Sequence, residues 1–248
     1  MEPALSICIP AYEMGGFGAH YLDLSLEILA QQDFPDFEVV VSDQSNDDAV
    51  AKLCALRGQH MDIRHVWNRD DKRQASANVN NAMAQAKGTV LKILFQDDFL
   101  NGNNALRQIN QAMDGGEKWL LCGSSVTRDG TTLHRPMVPR LTEKLQFGKN
   151  TVSSPSVLAM RRDCALQFDE RLIWLMDVEL YKRLWDSLGD PVILPDPLIV
   201  NRLHEGQVSA TISKQLRHRE LRYIRAKFAG TTNFRGWMEY LRQRLKAL

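Results

Sequence analysis

"KILFQDDFL", residues 92–100, ends an apolar run with two adjacent carboxylates, Asp97 and Asp98, and then turns apolar again. The run "TVLKILF" (89–95) has the length and composition of a buried strand. Two negative charges side by side at the end of such a strand need a reason.

Upstream, apolar runs alternate with helix-period segments. "LSICI" (5–9) precedes a stretch in which Leu22, Leu26, Leu29 and Ala30 share one helical face. "FEVVVS" (37–42) leads into "NDDAVAKLCAL", with Asn46 or Asp47 as its N-cap, and "IRHVW" (63–67) into "QASANVNNAMAQAKG", with Gly88 as a C-cap. Strands separated by helices of this length predict right-handed crossovers and a mostly parallel α/β sheet covered on both faces. Ligands bind such sheets at the C-terminal strand edge. Pro10 to Glu13, Asp43 to Ser45 and Asp97–Asp98 all lie just past strand ends, so three polar clusters are expected to meet in one crevice.

Beyond residue 100 the pattern predicts a helix near 103–113, a strand "KWLLCGSSV" (118–126), a loop at 135–150 and a helix "DVELYKRLWDSL" (177–188). "PVILPDPLIVNRLHEGQVSA" (191–210) holds three prolines and reads as short extended pieces. The tail reads as helical from about 211, with a break near Gly230–Asn233. A domain over 1–210 with a helical appendage over 211–248 is expected.

With 44% hydrophobic and 25% charged residues, the 248-residue chain is ordinary globular material. It contains no run near the roughly 18 apolar residues of a membrane-spanning helix, and "ALSICIP" has no basic signal-peptide flank, so a cytoplasmic protein is expected. Cys8, Cys54, Cys122 and Cys164 are widely spaced, which suggests neither a disulfide framework nor a zinc site. The net charge of +1 hides an asymmetry. Residues 213–248 hold ten Lys/Arg against two Asp/Glu, leaving 21 against 28 in the rest.

An adjacent Asp pair on a strand-end loop suits Mg²⁺ or Mn²⁺, which prefer carboxylate oxygen and share it with substrate phosphates. The bland alternative is a solvated turn with one Asp capping the next helix. Order separates the two readings. "LSICIPAYEMGG", "FPDFEVVVSDQSNDD", "NVNNAMAQAKG" and "LKILFQDDFL" follow the order and spacing of the nucleotide-binding half of GT-A glycosyltransferases, and the chain resembles the large inverting family 2. "SVLAMRRDCALQFDERL", "MDVELYKRL" and "PLIVNRLHEGQVS" extend the resemblance to about residues 4–210.

The resemblance implies that Pro10, Tyr12 and Glu13 line a base and ribose pocket and that Asp43 accepts the imide N–H of a uracil or thymine. A carboxylate matches that donor chemically. It also implies that Arg73 approaches the diphosphate, although a solvated surface arginine is an equal reading. Within Gln96-Asp97-Asp98 it places Asp97 toward the ribose or sugar and Asp98 on the metal. His204 falls where many such enzymes bring a histidine toward the metal or diphosphate, although a lone histidine is more often structural. Asp177 matches the family's general base, and a helix N-terminus is expected to keep it ionised. Without the resemblance, Asp177 and Glu179 are simply acids favoured in a first helical turn, Glu179 being an exposed partner for Arg183.

The implied activity is inverting transfer from a UDP- or dTDP-sugar to a hydroxyl, of a glycan or lipid-linked glycan in bacterial surface-polysaccharide assembly, with Mn²⁺ or Mg²⁺. Gln96, Gln44 and Met176 depart from the family pattern, which keeps open a catalytically inactive nucleotide-sugar-binding or regulatory partner. A nucleotidyltransferase is disfavoured because "PAYEMGGFGAH" carries no Lys or Arg, and its Gly15-Gly16-x-Gly18 spacing reads as turn flexibility. The tail, with Tyr223, Phe228, Phe234, Trp237, Tyr240 and Leu241 among its charges, has three readings: a surface helix on anionic lipid, packing against a partner subunit or second copy, or a solvated cover for the core. Nucleic-acid binding is disfavoured by the near-neutral whole.

Overall fold

The computed structural model describes residues 2–69, 73–207, 211–229 and 234–247; the expected break near Gly230–Asn233 and the side chain of Phe234 lie outside the described residues. β1 (Leu5–Ala11), β2 (Phe37–Asp43), β3 (Ile63–Trp67) and β4 (Val90–Ile93) are joined by α1 (Gly18–Ala30), α2 (Ala49–Arg57) and α3 (Ala75–Gln85). They pair in parallel in the order β3-β2-β1-β4. The order reverses at β1, so a crevice opens beyond the ends of β1 and β4, the switch point at which α/β sheets bind ligands. The β1–β4 ladder ends at Cys8–Ile93, whereas β1 runs on beside β2 to Ala11–Asp43. Pro10, with no N–H to give, sits beyond the last pair to β4.

The second half adds β5 (Phe99–Leu100), α4 (Ala105–Met113), β6 (Trp119–Thr127), β7 (His134–Met137), β8 (Leu158–Arg161), α5 (Met176–Leu188) and β9 (Val192–Arg202). β8 lies antiparallel between β4 and β6, β9 runs parallel to β6, and β5 closes that edge against β9. Leu5, Ile7, Ile9 and Val39 to Val41 are fully buried, as strands covered on both faces require.

Four local expectations change. The proline-rich stretch at 192–202 forms one strand, because a register shift opposite Gly123 absorbs Pro195 and Pro197; a Cβ on Gly123 would lie 2.5 Å from the Pro195 carbonyl. Gly88 does not cap α3, which ends at Gln85. A Cβ there would meet the β1 backbone at 2.7 Å, and its N–H donates to Ser6 Oγ. Asp48 occupies the N-cap of α2, and Asp47 accepts from Ala49 N. On α1, Ser25 joins Leu22, Leu26 and Leu29 in the interior while Ala30 is exposed.

The tail forms α6 (Lys214–Lys227) and α7 (Phe234–Lys246). Leu221, Ile224 and Tyr240 belong to the same core cluster as β1, so the charge asymmetry does not mark a packing boundary. Burying Leu221 and Ile224 stabilises the docked tail by about 1.5–3 kcal/mol each. Glu179 is also not an exposed partner. It is fully buried and bonds both Arg183 and, at 2.6 Å, Lys227 of α6. Among the described residues no helix is long and apolar enough to cross a membrane.

Candidate active site

Gln96 fastens the switch point. Its Oε1 accepts from Tyr12 N at 2.6 Å, while its Nε2 donates to the carbonyls of Tyr12 (3.0 Å) and Gly18 (3.1 Å). A carboxylate cannot donate, so the amide at this position ties β1, the start of α1 and the loop after β4 together. Gly18 exceeds turn flexibility here, since a Cβ would stand 2.0 Å from the Tyr12 carbonyl. Gly15 and Gly16 do adopt positive φ.

Asp97 and Asp98 part at this point. Asp97 Oδ2 lies 2.9 Å from His204 Nε2. The imidazole stacks on Tyr21 at 5.2 Å between ring centroids, and the hydrogen bond to Asp97 raises its pKa. His204, Tyr12, Phe17 and Tyr21 border a cavity of about 540 Å³. Asp98 is buried. Its Oδ2 accepts from Ser156 Oγ (2.6 Å) and Ser154 Oγ (3.1 Å), and its Oδ1 from Arg202 N (3.3 Å). Burial, reinforced by the Asp97 charge, pushes Asp98 up to about 7. Of the two expected metal ligands, His204 lies against Asp97 and Asp98 lies among the serines.

The fully buried Lys92 supports the cradle from below. Its ammonium bonds the carbonyls of Ser156 and, at 3.0 Å, Ile93, and burial lowers its pKa. In the apolar run this lysine gave no sign of that role.

Toward β2 the residues expected at the nucleotide form a second cluster. Asp43 is fully buried, its oxygens accepting from Ser45 N (2.8 Å) and bonding His65 Nε2 (2.9 Å). His65 meets Trp67 edge-on, and Arg69 lies 3.9 Å over that ring. Glu13 accepts from Asn46, whose Oδ1 accepts from Arg73 at 2.5 Å. Tyr12 is 43% exposed and Pro10 is buried within β1.

Asp177 lies in the first turn of α5, accepting from Val178 N (2.7 Å) and from Asn150 Nδ2 (2.6 Å). Desolvation outweighs these bonds and pushes its carboxyl up to about 7. This corrects the expectation of a carboxylate held ionised by the helix, since only part of the group faces water and buried Met176 packs beside it. The 150–154 loop connects the two centres. Asn150 bonds Asp177 and the Ser153 carbonyl, Ser154 bonds Asp98 and Asn201, and Tyr181 of α5 donates to the Ser154 carbonyl. Ser153 sits at φ +149, held by Ser124, Asn201 and Asn150.

A parallel α/β half with paired carboxylates at its switch point, followed by an antiparallel β8 and a helix that opens on an acid, defines a GT-A architecture. The chain belongs to glycosyl transferase family 2, whose profile matches residues 6–178. A GalNAc(5)-diNAcBac-PP-undecaprenol beta-1,3-glucosyltransferase of Campylobacter jejuni is 27% identical over 129 residues, 52% of this chain and 40% of that relative. The chain thus spans well under half the length of that curated relative. Crystal structures of S. aureus TarS share the fold: at 18% identity, the UDP-GlcNAc complex gives a TM-score of 0.68 over 99% of this chain and 73% of its own. The mannosyltransferase PcManGT of Pyrobaculum calidifontis, in complex with GDP-Man and Mn²⁺, gives 0.64 at 16% identity, over 100% of this chain and 70% of its own.

Proposed function

We propose that this chain is an inverting glycosyltransferase that moves a sugar from a UDP- or dTDP-sugar to a hydroxyl of a saccharide or lipid-linked acceptor. One observation carries the reading: the acidic pair at the switch point and the half-buried Asp177 are joined through a single loop, residues 150–154. Tyr12, Glu13 and Arg73 are the nucleotide-side residues of this reading, whereas Asp43, expected to accept the base N–H, is fully buried with its oxygens on Ser45 N and His65 Nε2.

A divalent cation fits the donor set. Asp97 and His204 present a carboxylate and an imidazole 2.9 Å apart, and Asp98 Oδ1, with its single long bond, is the oxygen of that buried group with capacity to spare. Among the described residues no three such side chains are arranged to hold an ion on their own, so in this reading a diphosphate supplies the rest of the shell. When bound, Mn²⁺ or Mg²⁺ supplies positive charge for the departing nucleotide diphosphate.

The chain's own part is proton transfer and placement. Asp177 takes the acceptor hydroxyl's proton as the oxygen attacks the anomeric carbon from the face opposite the leaving group. A pKa of about 7 suits a base working at neutral pH. Two of the three departures behind the inactive-partner reading have structural explanations, as Gln96 makes three bonds and Met176 fills core; the third, Gln44, is buried.

On the outer face of α7, Trp237, Met238 and Leu245 are exposed beside Arg242 and Arg244. They support the peripheral reading, contact with an anionic lipid surface that carries the acceptor.

Thermal stabilisation by UDP, dTDP, GDP and CMP, with and without Mn²⁺, tests the donor site. A ligand at about a hundredfold its Kd adds about 2.7 kcal/mol, roughly 5–10 °C for a chain of this size. UDP or dTDP is expected to act with Mn²⁺, and the metal-dependent part is expected to vanish in Asp98→Ala. No shift with any nucleotide refutes the reading.

A further inference from the structure

The tail has two acidic residues among its ten basic ones, and both are buried. Glu220 is 1% exposed. Taking a carboxylate out of water on an otherwise basic helix is costly unless its oxygens are fully used. They are. Glu220 Oε1 accepts from Ile173 N at 2.8 Å, and Oε2 from Trp174 N and Leu175 N, each at 2.9 Å.

Those three N–H groups belong to the approach to α5, whose N-cap is Leu175 and whose third residue in from that approach is Val178. An apolar N-cap provides no side-chain acceptor, and none is seen there. A carboxylate from 45 residues away instead gathers the N–H groups just ahead of the helix, while Val178 N goes to Asp177 itself. Asp177 stands two residues beyond the last bond.

A second anchor fixes the same helix pair. Lys227, seven residues after Glu220 on the same face of α6, bonds Glu179 (2.6 Å) and Asp169 (2.7 Å). Gly148, two residues before the Asn150 that holds Asp177 from its other side, is packed under α6 too, since a Cβ there would meet Leu221 at 2.5 Å and Leu175 at 3.2 Å. Both supports of the Asp177 carboxylate therefore lean on the tail.

We propose that Glu220 is a positioning residue for Asp177: by binding the N–H groups of residues 173–175 it fixes where α5 begins, and so where the base points. The inference rests on Asp177 being the base. It makes α6 part of the catalytic apparatus.

The test uses the full chain as wild type, Glu220→Gln and Glu220→Asp, with two readouts: amide hydrogen exchange over 171–178, and UDP release from a panel of UDP-sugars resolved into kcat and KM. Glu220→Gln keeps the volume and loses the charge. It is expected to speed exchange at 173–175 at least about tenfold and to lower kcat by about tenfold or more, with donor KM and the UDP-induced thermal shift unchanged, because misplacement of a catalytic group acts on the chemical step. Glu220→Asp, which keeps the charge on a shorter arm, is expected between the two, and carries the test if the glutamine variant fails to fold.

An active wild type with unchanged kcat in both variants overturns the proposal. So does a parallel loss of kcat, UDP binding and protection along the whole chain, which marks a merely structural residue. A wild type that binds no UDP and releases none is a different failure, that of the glycosyltransferase reading, and the positioning role falls with it.

Discussion

The two halves of the candidate site are built in opposite ways. On the proposed nucleotide side, Tyr12, Asp43 and Gln96 sit at the ends of neighbouring parallel strands, and their partners are residues of the adjacent strand end or loop. On the side of the proposed base, Asp177 relies on Asn150, 27 residues earlier, and on the loop before α5, which Glu220 holds from α6. The first half follows from sheet topology alone. The second exists only once the tail has docked.

The sharpest way to break this comparison is to remove the proposed base. Asp177→Asn is expected to cut transfer by about 10²–10⁴-fold while leaving the UDP-induced thermal shift intact. Initial rates and melting curves on one preparation check it, and loss of nucleotide binding would show that the halves are not separable.

Next in size is a change to the switch point. Gln96→Glu sets a buried carboxylate against the carbonyls of Tyr12 and Gly18 and removes both donated bonds. Urea unfolding is expected to show a loss of about 3 kcal/mol, with nucleotide binding weakened in step. A variant as stable as wild type would mean that Gln96 is not the fastening between β1 and β4.

A smaller effect distinguishes the base side by pH. The folded pKa of Asp177, about 7, lies above its ordinary 3.8. The folded chain therefore holds a proton that the unfolded chain has released between about pH 4 and 7, and stability contributed by this group falls as pH rises through that window. Asp177→Asn should raise the melting temperature at pH 8 more than at pH 5, and the wild-type rate should fall as pH drops through 7. Equal shifts at both pH values would remove burial as the cause.

The weakest expected effect concerns the outer face of the tail. Binding to vesicles with anionic lipid is expected to be salt-sensitive, at about 1 kcal/mol per basic residue, and reduced in Trp237→Ala and in Arg242→Ala. Cosedimentation that ignores both substitutions would restrict the tail to its packing role.

Much of the nucleotide half was legible because its signals are local. Alternation of strand and helix gave β1 to β4 within a few residues, and the strand-end rule pointed to Tyr12, Asp43 and Asp97. What failed locally was decided by close approach. Gly88 looks like a helix stop but is needed where its backbone touches β1, and the prolines at 195 and 197 look like breaks but fit a register shift opposite Gly123. The lone glutamates of the tail were a usable signal, since an acid in a basic helix needs an explanation.

By itself the sequence determined the order of elements and the family, because periodicity, turn chemistry and motif order are properties of the chain. Only the tertiary structure decided that Asp97 pairs with His204, that serines enclose Asp98, and that burial raises Asp177 against its helix. It alone also joined the basic tail to α5 through Glu220. Those outcomes depend on which groups lose water and which distant donors converge, and neither is written in the spacing of residues along the chain.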